Sequence, residues 1–262
     1  MTSRRDLRDC ENLSDFGLSL RTKELYAGVM TTWIGTSGFQ YPEWKGKFYP
    51  EEMSPGKMLA YYSARFTTTE VNYSFRRIPT EKVLIRWSDE TPDAFRFSFK
   101  APQRVTHFAK LRNCEEVLGV FARAISTIGD KLGVVLFQLP PTFKKDAAVL
   151  SDFVPTLPNG MRTAFEFRHE SWFGDDVFEI LRSRNVALCV AETEDLATPR
   201  VATADFGYMR ARRDVYTKAE ITQWADFIRA QEHGWGEAFV YFKHEEKAIG
   251  PKFAGELLAL MS

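Results

Sequence analysis

The segment Phe95-Arg96-Phe97-Ser98-Phe99-Lys100 alternates aromatic and polar side chains from end to end. Successive side chains of a β-strand point to opposite faces, so the phenylalanines share one face and Ser98 and Lys100 the other. The same rhythm returns in Ala164-Phe165-Glu166-Phe167-Arg168. Bulky phenylalanine faces need a covering layer, which helices supply when strands run parallel. The polar phase then points into the middle of a closed sheet.

Outward from these segments the chain repeats one pattern. The strand candidates are Met30–Thr36, Thr68–Tyr73, Phe95–Lys100, Gly133–Leu139, Thr163–Arg168, Val186–Ala191, Gly207–Ala211 and Ala238–Lys243. They are short, rich in aromatic or β-branched residues and bounded by turn formers. Between them lie helical stretches: Lys57–Phe66, Glu81–Ser88, Cys114–Ile128, Asp146–Phe153, Asp175–Arg184, Lys218–Gln231 and Pro251–Leu260. Asp175 and Thr217 read as helix N-caps. The connection 193–204 shows no clear period. Eight strands, each followed by a helix or crossover loop, predict α/β architecture: a single TIM-type (β/α)8 barrel of parallel strands with outer helices. An open doubly wound sheet is the alternative, because both read as βαβ repeats. Gly35-Thr36-Ser37-Gly38 runs into the aromatic stretch Phe39–Trp44 instead of a helix, so it is a weak phosphate cradle.

Residues 1–28 are charged and weakly periodic, and read as an N-terminal extension, disordered or partly helical; residues 29–262 read as the barrel domain. Of the 262 residues 44% are apolar and 14% aromatic, with 22 Phe, which is ample for a layered core. The 35 basic and 35 acidic side chains cancel, giving no global attraction to nucleic acid or anionic membrane. Cys10, Cys114 and Cys189 are too widely spaced for a zinc ribbon or disulfide framework, and Cys189 reads as a small buried hydrophobe. No segment has the length of a membrane span or the apolar core of a secretory signal, so a cytoplasmic protein with no membrane partner is expected.

Candidate functional residues follow from phase. Glu70 and Asn72 share one face of the second strand, and Tyr208 and Arg210 one face of the seventh. Lys100, Glu166 and Arg168 lie on the inward phase, and Gln138 and Lys243 end the fourth and eighth strands. Inward charges near the strand C-termini are costly unless paired. They form a functional pocket or an ion-pair plug. Barrel enzymes place their sites at this end. Lys100, Arg168, Arg210 and Lys243 outnumber Glu70 and Glu166, which favours an anionic ligand. His107, His169 and His244 follow the third, fifth and eighth strands, placing them in loops at the same end. They suit acid–base work near neutral pH. As metal ligands with Glu166 or Glu192 they lack any HxxxH or HxH spacing, and no metal site is expected. His233 belongs at the opposite end. The aromatic loops Phe39–Trp44, Phe48–Pro50 and Glu170–Phe173 are read first as packing and second as stacking platforms.

Several of these segments resemble one family in order along the chain. They are Ile34-Gly35-Thr36-Ser37-Gly38-Phe39-Gln40-Tyr41 with Trp44 and Phe48-Tyr49-Pro50, Glu70-Val71-Asn72-Tyr73-Ser74-Phe75 with Pro79, Phe99-Lys100-Ala101 with Thr106-His107, Phe137-Gln138-Leu139-Pro140-Pro141, and Glu166-Phe167-Arg168-His169 with Ser171-Trp172. From about Trp33 to the C-terminus the chain is identified as a member of the domain of unknown function 72, or YecE-like, family. The resemblance implies a TIM-barrel-like fold and brings no established activity. Two places depart from the commoner family pattern. Arg210-Ala211-Arg212-Arg213 stands where many members have Arg-Leu-His-Gly, and Lys243-His244 where many have Asn-Asn. The exchange moves a histidine between loops and makes the pocket more basic.

The leading expectation is a protein that binds or acts on a phosphorylated or other anionic small molecule at the C-terminal face. Lys100, Arg168, Arg210 and Lys243 would bind the anion, with Asn72 and Gln138 beside them. Glu166 or Glu70 would serve as general base and His107 or His244 as proton donor, as in a hydrolase- or isomerase-like enzyme. One alternative is a nucleic-acid binding or processing protein whose basic surface continues over Arg212, Arg213 and Lys218. Another is a non-catalytic ligand-binding protein. The sequence does not identify a cofactor or an oligomeric state.

Overall fold

The computed structural model describes residues 30–193, 196–243 and 248–262, so the N-terminal extension lies outside the described residues. Eight strands close into one barrel in sequence order, every neighbouring pair parallel. They are β1 (Thr31–Ser37), β2 (Thr68–Val71), β3 (Arg96–Lys100), β4 (Leu132–Gln138), β5 (Thr163–Glu166), β6 (Ala187–Glu192), β7 (Phe206–Ala211) and β8 (Glu237–Phe242). Six residue pairs join β1 to β8, from Thr31 opposite Glu237 to Thr36 opposite Phe242. That closure decides for the barrel over an open sheet.

The described helices are α1 (Met58–Ser63), α2 (Glu81–Asp89), α3 (Glu115–Ser126), α4 (Ala147–Phe153), α5 (Asp175–Arg182), α6 (Lys218–Arg229) and α7 (Ile249–Met261). Each follows the next strand in turn except after β6, where the described residues form no helix. That connection is instead tied down by Thr203, whose Oγ1 accepts from Leu188 N at 2.7 Å and donates to the Val186 carbonyl at 2.7 Å. No helix of the described residues is long and apolar enough to cross a membrane.

Three expectations need correction. Asp175 is the first helical residue of α5, and Gly174 is its N-cap. The acid gains there from the exposed N–H groups of the first turn without capping it. Tyr73 is not in β2: the chain turns into a 3₁₀ turn, Tyr73–Phe75, straight after Asn72. Lys243 lies one residue beyond β8. Thr217 is the N-cap of α6 as expected, in a reciprocal capping box with Glu220.

The phenylalanine phase faces outward. Phe97 stacks on Trp87 of α2 at 6.0 Å, and Phe137 and Phe165 meet Phe153 of α4 at 5.4 and 6.1 Å. Burying one such ring contributes about 1.5–3 kcal/mol. The first loop is packing too: Trp44 and Tyr49 are buried and lie 5.9 Å apart. The barrel interior is layered. At its N-terminal end Trp33 Nε1 donates to Glu237 at 2.9 Å, and Arg162 pairs with the same carboxylate. In the middle Tyr241 donates to Ser98 Oγ at 2.7 Å, with Thr68 Oγ1 2.8 Å away. Cys189 is buried inside the barrel, and burial raises its thiol pKa well above the ordinary value.

Candidate functional site at the C-terminal mouth

The last inward positions of the strands build the upper layer. Ser37, Lys100, Gln138 and Glu166 end their strands, and Glu70 and Arg210 stand one residue before the ends of theirs. Arg210, only 2% exposed, lies between two buried carboxylates. Its Nη2 donates to Glu70 Oε1 at 2.7 Å and to Ser37 Oγ at 3.1 Å, and its Nη1 donates to Glu166 Oε2. Burial alone would lower its pKa, but the two carboxylates hold it well above the ordinary value. Its Nε is buried without a hydrogen-bond partner among the described residues.

Glu70 also accepts from Ser37 Oγ and, at 2.6 Å, from Tyr208 OH. Burial and this neighbouring charge push the Tyr208 phenol well up, so it stays a donor. Asn72 Nδ2 donates to Ser37 Oγ at 2.9 Å. Glu166 accepts from Gln138 Nε2 at 2.8 and 2.9 Å, from Arg168 Nε at 2.9 Å and from Arg212 Nη1 at 3.2 Å. Burial would raise the Glu166 pKa. The charges of Arg210 and Arg212 and the Gln138 hydrogen bond outweigh it and hold the group below the usual carboxylate range.

Three cations of the mouth are half-buried: Lys100, Arg168 and Arg212. The Lys100 ammonium lies 4.0 Å from the centre of the Phe75 ring, and among the described residues it makes no hydrogen bond or ion pair. Burial, then the charge of Arg210, push its pKa down to about 8 against the pull of Glu70 and Glu166. His107 packs edge-on against the same Phe75 ring at 4.9 Å, and its Nδ1 is 2.9 Å from Thr106 Oγ1. Burial and the Lys100 charge lower its pKa, leaving it neutral at neutral pH. Asn72 forms a wall shared with a cavity of about 380 Å³, lined also by Gly38, Tyr41, Tyr73 and Trp87.

Glu70, Asn72, Lys100, Gln138, Glu166, Arg168 and Arg210 are thus brought together, with His107 beside Lys100. Lys243 is half-buried just past β8, where its N–H donates to the Ala211 carbonyl at 3.0 Å. His244 lies outside the described residues. His169 caps the turn Glu170–Trp172, its Nδ1 accepting from Ser171 N at 3.1 Å. His233 is exposed at the opposite end, between α6 and β8. Among the described residues no three His, Cys, Asp or Glu side chains cluster as metal ligands.

Tyr208 shares the inward face of β7 with Arg210, as its phase predicts. Ser37, Phe75 and Arg212 are members of the site that sequence reasoning did not place there. Arg212 had a signal, since it continues the inward phase two residues after Arg210. Arg213, expected with it on an outer basic surface, is paired with Glu220 at 2.7 Å and Glu192 at 3.5 Å.

Fold and mouth together define a TIM-type barrel with a basic, polar C-terminal face. The chain belongs to the family described as protein of unknown function DUF72, which matches residues 33–262. It is 31% identical over 134 residues to the UPF0759 protein YecE of Escherichia coli K12, covering 50% of this chain and 48% of that one. It is likewise 31% identical over 139 residues to the UPF0759 protein YunF of Bacillus subtilis 168, covering 50% and 49%. The matched stretches thus span about half the length of these curated relatives. A crystal structure of a DUF72 family protein from Thermotoga maritima MSB8 superposes with a TM-score of 0.79 at 25% identity, covering 88% of this chain and 99% of that one. A second, from Enterococcus faecalis V583, gives a TM-score of 0.73 at 16% identity over 90% and 99%, and shows the fold alone.

Proposed function

We propose that this barrel binds an anionic small molecule, a phosphate monoester or a carboxylate, at its C-terminal mouth. The observation that carries this reading is the imbalance of charge. Arg168, Arg210 and Arg212 converge on two carboxylates, and the Lys100 ammonium adds a fourth cation that makes no ion pair among the described residues. A surplus of half-buried cations is stabilised by an anion that takes up their remaining donors. In this reading Glu70 and Glu166 hold the arginines in place. Arg168, Arg212 and Lys100 meet the ligand, with Asn72, Gln138 and Lys243 around it. His107, kept neutral, is the group suited to move a proton.

Calorimetric titration of sn-glycerol 3-phosphate into the full chain at low ionic strength tests the reading. Binding is expected for the native protein, weakened about tenfold or more in Lys100→Met and in Arg212→Ala, as for loss of a charge-assisted hydrogen bond of about 1.5–3 kcal/mol. Absence of binding at millimolar ligand, or equal affinity in all three proteins, would refute it.

A further inference from the structure

Lysines in this chain differ in what holds them. Lys131 donates to the Ser88 carbonyl at 2.6 Å, the Thr91 carbonyl at 2.7 Å and Thr91 Oγ1 at 3.3 Å, so its three donors are engaged. Lys145 is paired with Asp176 at 3.0 Å. Lys100 ends β3 on the inward phase, half-buried in the mouth, with its nitrogen over an aromatic face. The nearby carboxylates, Glu70 and Glu166, are committed to Arg210. A lysine desolvated beside other cations is the environment that produces amine nucleophiles.

We propose that Lys100 is a nucleophile that forms a Schiff base with an anionic small molecule bearing an aldehyde or ketone; this rests on the anion-binding reading and names its substrate class. The lone pair of the neutral amine attacks the carbonyl carbon. The C–N bond forms as the C=O π pair moves to oxygen, which takes a proton given up by nitrogen. The carbinolamine then loses its hydroxyl with the second N–H proton as one water molecule, leaving a C=N bond. No oxidant or reductant is consumed, and water reverses the step. His107, on the same Phe75 ring, carries the proton between nitrogen and oxygen. Arg168 and Arg212 hold the anionic group. The groups that set the protonation of Lys100 come from separate elements: Arg210 and Arg212 at the end of β7, Glu70 of β2 and Glu166 of β5. With its pKa near 8, the amine is substantially neutral at mildly alkaline pH, where an ordinary lysine at 10.5 is not.

Three matched probes separate the two claims: glyceraldehyde 3-phosphate carries carbonyl and anion, glyceraldehyde the carbonyl alone, and sn-glycerol 3-phosphate the anion alone. The full chain is incubated with each aldehyde and cyanoborohydride, and the adducts are located by peptide mass mapping. The expected result is one adduct per chain on Lys100, formed about tenfold faster with the phosphorylated aldehyde and suppressed by glycerol 3-phosphate. Its rate should rise with pH through a midpoint near 8. Lys100→Arg, which cannot form a Schiff base, should give no adduct at that position. Mapping on the native chain decides the matter whether or not this variant folds. Adducts confined to other lysines while glycerol 3-phosphate still binds would overturn the Schiff-base inference and leave the anion reading standing. Neither binding nor a Lys100 adduct would overturn both.

Discussion

Arg210 is the side chain on which the mouth is assembled. Its guanidinium joins Glu70 of β2 to Glu166 of β5 across the barrel, and all three are almost fully buried. A buried pair of this kind is a modest source of net stability while intact, but removing one partner leaves an uncompensated charge. Arg210→Met leaves Glu70 without an ion-pair partner among the described residues, while Glu166 keeps Arg168 and Arg212, and should lower stability by about 3–5 kcal/mol in urea denaturation; an effect below about 1 kcal/mol would mean that Glu70 finds another partner. The Glu166 shift has a definite sign. Its folded-state pKa lies below the ordinary 4.5, so its contribution is present above that value and is lost as pH falls through the folded-state value. Glu166→Gln should therefore show a shallower loss of stability from about pH 5 to pH 3 than the native chain. At this scale phase made much legible: Glu70, Lys100, Glu166, Arg168 and Arg210 all point where alternation puts them. Ser37 and Phe75 were not legible, because a small hydroxyl and one more aromatic carry no signal until a charged neighbour is placed beside them.

Elements begin and end where local chemistry dictates. Thr217 accepts from Glu220 N at 3.3 Å while the Glu220 carboxylate accepts from Thr217 N at 2.8 Å, satisfying two N–H groups of the first turn of α6. Thr217→Ala should cost about 1 kcal/mol, and Thr217→Asn or Thr217→Asp much less. Equal losses across that series, read by thermal denaturation, would show that the cap is not what holds this end. The cap could be read from Thr217 because its acceptor is a side-chain hydroxyl. Gly174 could not, because it caps α5 with no side-chain hydrogen bond and the acid after it gave the stronger sequence signal. The end of β2 was equally hidden: Tyr73 is a good strand residue, yet Ser74 Oγ donates to the carbonyls of Val71 at 2.9 Å and Lys100 at 2.7 Å, fixing the turn. That turn matters to function, since it carries Phe75 to the Lys100 ammonium.

Across the whole molecule, outward aromatics bind the strands to the helices, while the inside grades from an ion pair and indole at the N-terminal end, through hydroxyls, to the charged mouth. The eight strands were legible as short aromatic or β-branched runs between helical stretches, whereas closure is decided by the pairing of β1 with β8, since an open doubly wound sheet gives the same βαβ repeats. The connection between β6 and β7 was not, because its described residues follow neither period and are held by single side chains such as Thr203. The central claim is that the surplus of cations in the mouth exists to receive an anion. A crystal structure of the full chain with sn-glycerol 3-phosphate tests it most directly. The account predicts the phosphate within hydrogen-bonding distance of Lys100 Nζ and of the Arg168 or Arg212 guanidinium. A phosphate bound elsewhere, with the mouth empty at a saturating concentration, would contradict it.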